Sequence, residues 1–226
     1  FVILNYTFKN ASEDTINDLY AGIWVDPSVA NFNYTDYYTP GGGFTWYDNL
    51  NGFDESEDDG GYKRNIGYQF DADGDDGWAQ SYFGMSILGS SVPMNYINTN
   101  YSQWVWTNSN NSDYPAYNMP LTDNERYAKM IASVPKGTGP DYTSDGYPAN
   151  ENSWLFTLSA GPTGTISNAD STSWKLAPGD SCSMAFTLVC GVWADGTSGD
   201  SPERRGNLHV NYDWAQRAYN GEDKNR

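Results

Sequence analysis

"YQFDADGDDGWAQSYFGMSILG", residues 68–89, is the stretch whose reading decides the fold class. Its two ends, "IGYQFDADG" and "QSYFGMSILG", read as strands rich in aromatic and aliphatic residues. Between them, Asp71-Ala-Asp73-Gly-Asp75-Asp76-Gly77 places four carboxylates and two glycines in seven residues. Asp and Gly are turn formers, because Gly reaches positive φ freely and Asp bonds its own backbone. The stretch is therefore expected to be two strands joined by an acidic hairpin turn.

Working outward, further strands follow. "FVILNYTFKN" and "LYAGIWVDPSV", joined by the polar "ASEDTIND", read as a hairpin-like start. "FTWYDNL" is a short aromatic strand, and "NGFDESEDDGGYKRN" reads as an acidic loop. "SQWVWTN" and "SWLFTLSAG" are strands. "SCSMAFTLVCGVW" alternates Cys182, Met184, Phe186, Leu188 and Cys190 on one apolar face. Eight residues at ~3.3 Å each put the two cysteines roughly 26 Å apart, beyond disulfide reach. Buried free thiols are expected. Pro178-Gly179 marks a turn just before that strand.

Two segments read as helices. In "TDNERYAKMIAS", residues 122–133, Thr122 and Glu125 fit a capping box and Tyr127, Met130 and Ile131 share a face. "RGNLHVNYDWAQRAYN" puts Leu208, Tyr212, Ala215 and Tyr219 on one side. The expected fold class is all-β: one β-sandwich (jelly-roll or immunoglobulin-like) over residues 1–220 with one or two short peripheral helices, and a polar tail at 221–226.

The chain has 226 residues and a net charge of -17, with nine Trp and eighteen Tyr. The core is expected to be built from rings, each with a large apolar area and a polar tip. So acidic a surface repels nucleic acid and anionic lipid. No 18-residue apolar run exists to insert into a membrane. The chain opens at Phe1 inside a strand pattern, as a piece of a longer protein would. Five N-x-[ST] sequons, at Asn5, Asn10, Asn33, Asn100 and Asn110, carry little weight in so Asn-rich a chain.

Four phrases, taken in order, resemble a β-rich module of large secreted bacterial proteins, the kind that carry C-terminal sorting or immunoglobulin-like modules. They are "FVILNYTFKNASEDTINDLYAGIWVDPSV", "NIGYQFDADGDDGWAQSYFGMSILG", "LFTLSAGP…WKLAPGDSCSMAFTLVCG" and "NLHVNYDWAQRAYN". The resemblance implies an exported or cell-surface protein with a β-sandwich core. It brings no catalytic residues with it.

The alternating Asp71, Asp73 and Asp75, with Asp76, suit calcium, which takes six to eight oxygens at ~2.3–2.6 Å. An EF-hand would need Gly at 76 and Glu at 82, where Asp76 and Tyr82 stand. What remains is a calcium-bound β-turn or a hydrated one. "DESEDD", 54–59, reads as a mobile acidic loop. His209 is the sole histidine. With no G-x-S-x-G elbow it reads as a surface residue rather than part of a triad. A carboxylate pair for glycoside hydrolysis is the third-ranked possibility. Trp46, Tyr47, Trp104 and Trp106, interleaved with amides, suit a carbohydrate-binding face. The leading expectation is a non-catalytic extracellular structural or adhesive module, calcium-braced, whose partners are envelope or matrix proteins or polysaccharide. A carbohydrate-binding module is the alternative.

Overall fold

The computed structural model describes residues 1–29, 49–72, 79–105, 117–133, 154–167, 173–193 and 199–221. In chain order the first strands are β1 (Val2–Lys9), β2 (Ile16–Asn17), β3 (Leu19–Val25), β4 (Asn49–Asp54), β5 (Ile66–Asp71), β6 (Ser81–Ser90) and β7 (Asn98–Val105). Helix α1 (Asp123–Ile131) follows. After it come β8 (Trp154–Thr163), β9 (Ile166–Ser167), β10 (Trp174–Leu176), β11 (Ser181–Val192) and helix α2 (Gly206–Asn220). The fold is all-β with two helices, as the alternation in the sequence implies.

The 68–89 stretch pairs as expected: β5 and β6 are antiparallel, with Gly67 opposite Met85 and Phe70 opposite Tyr82. They sit inside a five-stranded sheet of order β1-β11-β6-β5-β4. A second sheet has the order β3-β8-β7, and a small third one β2-β10-β9.

Each face of the five-stranded sheet is covered by something different. One face holds Ile66, Tyr68, Phe70, Tyr82, Ala185 and Val189 against Leu208, Tyr212 and Ala215 of α2. The helix comes in close because glycines face it: a Cβ on Gly191 would lie 2.7 Å from Leu208 Cβ, and one on Gly84 3.0 Å from Leu208 Cδ1. The other face holds Phe53, Met85, Ile87, Met184 and Phe186 against Tyr101, Phe156, Leu158 and Ala160 of the second sheet. Rings dominate both layers, such as Phe53 stacked on Tyr101 at 5.0 Å.

Several expectations need correction. β1 and β3 form no hairpin: β1 pairs with β11 and β3 with β8. The "ASEDTIND" link carries the chain from one sheet to the other and lends β2 to β10 on the way. Residues 51–54 are strand rather than acidic loop, because β4 is covered on both faces and its six residues are all buried. Cys182 is buried and both thiols are free, but Cys190 is exposed. The apolar face of β11 is covered at Cys182, Met184 and Phe186, thins at Leu188 and runs out before Cys190.

Candidate functional site

The outer face of the β3-β8-β7 sheet, turned away from the core, carries Gly22, Trp24, Thr157, Ser159, Asn100, Ser102 and Trp104. This follows from alternation: Ala21 of β3, Leu158 and Ala160 of β8 and Tyr101 of β7 point inward to the core. Helix α1 lies across this outer face. Its start is fixed by the predicted capping box, with Glu125 N donating to Thr122 Oγ1 and Thr122 N donating to Glu125 Oε2 at 2.8 Å.

The other end of α1 is held by the sheet. The last carbonyls of a helix lack intrahelical partners, and here side chains of β7 and β8 supply them. Asn100 Nδ2 donates to Met130 O at 3.0 Å, and Ser159 Oγ donates to the same oxygen at 2.7 Å. Ser102 Oγ reaches Lys129 O at 2.9 Å and Ala132 O at 3.0 Å. Tyr127 adds an anchor, its hydroxyl donating to Asp18 O at 2.9 Å. α1 buries no residue completely. It is positioned by hydrogen bonds more than by a core.

This bridging leaves a cavity of about 330 Å³ between helix and sheet. Its floor is Gly22, Trp24, Trp104 and Thr157; its far wall is Met119, Pro120, Arg126, Lys129 and Met130. Lys129 Nζ lies 5.7 Å from the centre of the Trp104 ring, within range of a cation–π contact. Burial pushes the Lys129 ammonium down to about 8. Arg126 is tethered to Asp123 at 2.7 Å. Trp24 is 52% exposed, while Trp104 is 4% exposed. The arrangement offers an apolar floor with one ring open to solvent, a hydroxyl and a cation on the rim.

A second polar constellation lies where α2 begins. Arg205 Nε is 2.9 Å from Asp54 Oδ2, and its Nη1 donates to Asp200 Oδ2 and to the Tyr68 hydroxyl. Tyr68 and Tyr82 donate to the two Asp200 oxygens at 2.8 and 2.7 Å. His209 Nε2 lies 2.8 Å from Asp54 Oδ2. Burial alone would raise the Asp54 carboxyl, but hydrogen bonds from His209 and Ser56 and the Arg205 charge outweigh it and hold it far below the usual carboxylate range. Burial first, then Asp200, pushes both tyrosines up. Nearby, Arg64 grips Asp213 of α2 with two bonds of 2.9 Å. The shared partners and near-complete burial make this a clasp between α2 and the five-stranded sheet.

His209 is thus no surface residue: its side chain is 15% exposed and bonded to Asp54. Asp54 likewise belongs to the clasp and not to a mobile acidic loop. Of the residues the sequence singles out, Asp71 ends β5, buried, with Oδ2 accepting from Ala79 N at 2.7 Å. That bond joins the end of β5 to the residues that lead into β6. Asp73, Asp75 and Asp76 lie outside the described residues, as do Trp46, Tyr47 and Trp106. Among the described residues no group of three His, Cys, Asp or Glu side chains is placed to hold a metal ion. No described helix is long and apolar enough to cross a membrane. Trp104 is in the cavity. Sequons Asn10 and Asn100 are buried and hydrogen-bonded.

Trp24, Lys129 and the Arg205 cluster escape sequence reading. For Trp24 a signal existed: Ala21, Ile23 and Val25 alternate against it, so a Trp faces away from the core. No family model matches the chain, and no curated protein or solved structure is detectably similar to it.

Proposed function

We propose that this chain is a non-catalytic module of a secreted or cell-surface bacterial protein, a β-sandwich that adheres to polysaccharide through the cavity beneath α1. The observation that carries the reading is the pairing of exposed Trp24 with Trp104 on the floor of that cavity. Aromatic faces stack on the apolar faces of sugar rings, while Thr157 and the rim cations suit hydroxyl groups. A volume of about 330 Å³ lies at the small end of ligand cavities, roughly 300–1,000 Å³, suited to one or two sugar rings. The sandwich reading is supported by the shared core between the two larger sheets. A calcium brace at the 71–76 turn belongs to the same proposal. It would use Asp71, Asp73, Asp75 and Asp76. A chelator should then lower the melting temperature and added calcium restore it.

The test of adhesion is affinity electrophoresis of the wild-type protein and Trp24→Ala in gels cast with soluble plant, algal and bacterial polysaccharides. Retardation by at least one polysaccharide, lost in the variant, supports the reading. Equal mobility in every gel would refute it.

A further inference from the structure

The two edges of the five-stranded sheet are built differently. β4, at one end of the order, is buried along its whole length. β1, at the other end, leaves Val2, Asn5, Tyr6, Thr7 and Lys9 exposed, and no described strand pairs with its free side. Main-chain bonds show which residues of β1 face that side. Ser183 of β11 bonds Ser91, beside β6, through both its N–H and its carbonyl, so Cys182 and Met184 turn theirs toward β1. These two stand opposite Phe8 and Tyr6. Asn10 continues the pattern by donating to Asp180 O at 2.9 Å. Even-numbered residues of β1 therefore bond β11, and Ile3, Asn5 and Thr7 direct their N–H and C=O groups outward.

An edge strand open to solvent is a template for another strand, and proteins normally blunt it with proline, inward charges, bulges or short length. β1 has eight residues, no proline and a single charge, Lys9 at its end, and its register against β11 is unbroken from Val2 to Lys9. Charge singles the edge out as well. The chain carries twenty-nine acidic residues, yet none falls between Phe1 and Ser12. Two copies at a net charge of -17 repel each other, but that repulsion is screened beyond roughly 8 Å at physiological salt. Across this edge no carboxylate of β1 meets another.

We propose that β1 pairs antiparallel with β1 of a second copy about a two-fold axis at Asn5, joining the two five-stranded sheets into one. The strand is self-complementary in that register: Asn5 faces Asn5, Ile3 faces Thr7 and Leu4 faces Tyr6. Every outward main-chain group then meets another outward group, as a closely spaced antiparallel pair requires. Val2, Leu4, Tyr6 and Phe8 lie on one face of β1 and meet the same set across the axis. The exposed Val2 and Tyr6 are thereby covered by the second copy's Phe8 and Leu4, the kind of cross-strand pair that stabilises a sheet. A slip of one residue would set outward groups against ones already bonded to β11 and apolar side chains against polar ones. The contact is isologous and closes at two copies.

The experiment is sedimentation equilibrium of the whole chain at physiological salt, from about 10 to 500 μM, the range suited to a small, transient interface. Thr7→Pro removes an outward N–H and leaves the β11 ladder intact. Asn5→Lys and Asn5→Asp each place like charges face to face across the axis. Unchanged urea midpoints confirm that the variants are folded, and the Asn5 pair decides the matter alone if Thr7→Pro unfolds the chain. Expected are a monomer–dimer equilibrium in wild-type protein and its loss in Thr7→Pro. Either Asn5 variant alone should associate about fivefold more weakly, and their equimolar mixture should recover the dimer. A wild-type chain that stays monomeric throughout would overturn self-pairing and leave the edge to a strand of another protein. A dimer indifferent to all three variants would overturn β1 as the contact. Weakening without recovery in the mixture would overturn the register centred on Asn5.

Discussion

The two helices meet their sheets in opposite ways. α2 is fastened by apolar burial and by a nearly buried clasp of charges: Leu208 and Ala215 are fully buried, and Arg205 lies between Asp54, Asp200 and Tyr68. α1 buries nothing completely and is held by hydroxyl and amide donors on its last carbonyls. The first arrangement fills its space. The second leaves a cavity with a half-exposed tryptophan and a lysine on its wall. On the function proposed above, stability and binding fall to different helices of one molecule, and substitutions should separate them.

The largest effect is expected at the clasp. Arg205→Met leaves Asp54 and Asp200 buried without their cation, which costs about 3–5 kcal/mol and should appear as a large drop in the urea midpoint. Next comes acid. The folded-state pKa of Asp54 lies below its unfolded value of about 3.9, so its contribution is full above that pH and is lost as pH falls through the folded-state value. Wild-type stability should therefore fall more steeply below pH 4 than that of Asp54→Asn, which starts lower. A parallel decline would show that Asp54 is not held as described.

Smaller effects are expected at α1. Ser102→Ala with Ser159→Ala removes donors from three carbonyls, at about 1 kcal/mol per hydrogen bond. Hydrogen exchange should lose protection in α1 while the five-stranded sheet keeps its own. Global unfolding of that double variant would erase the contrast between the helices. Smallest is the thiol pair: an exposed Cys190 should react with a thiol reagent in the native protein. Buried Cys182, whose thiol burial pushes up, should react only on unfolding.

How far the sequence foretold this depended on whether the signal was local. The β5–β6 hairpin and the Thr122–Glu125 cap were legible because turn and capping chemistry lie within a few residues. The face of α2 was legible because Leu208, Tyr212 and Ala215 repeat at helical spacing. The partner of β1 was not, since Val2 pairs with Leu188 and alternation names no partner. Beyond Leu50, β4 reads as loop because "NGFD" has little apolar content; its burial comes from neighbours on both sides. Of the proposed binding residues Trp104 was found by type, whereas Lys129 gains its place only when the helix is laid over the sheet. The clasp joins residues as far apart as 54 and 209, and nothing in "SPERRGNLHV" announces it.

The central claim is that Trp24 marks a sugar-binding cavity separate from the structural core. Calorimetric titration of wild-type protein and Trp24→Ala with the polysaccharide that retards the protein most tests it directly, once urea unfolding shows their stabilities to agree within about 0.5 kcal/mol. The account predicts binding by wild-type protein and a loss of tenfold or more, about 1.4 kcal/mol, in the variant. Equal affinity of the two proteins would contradict it.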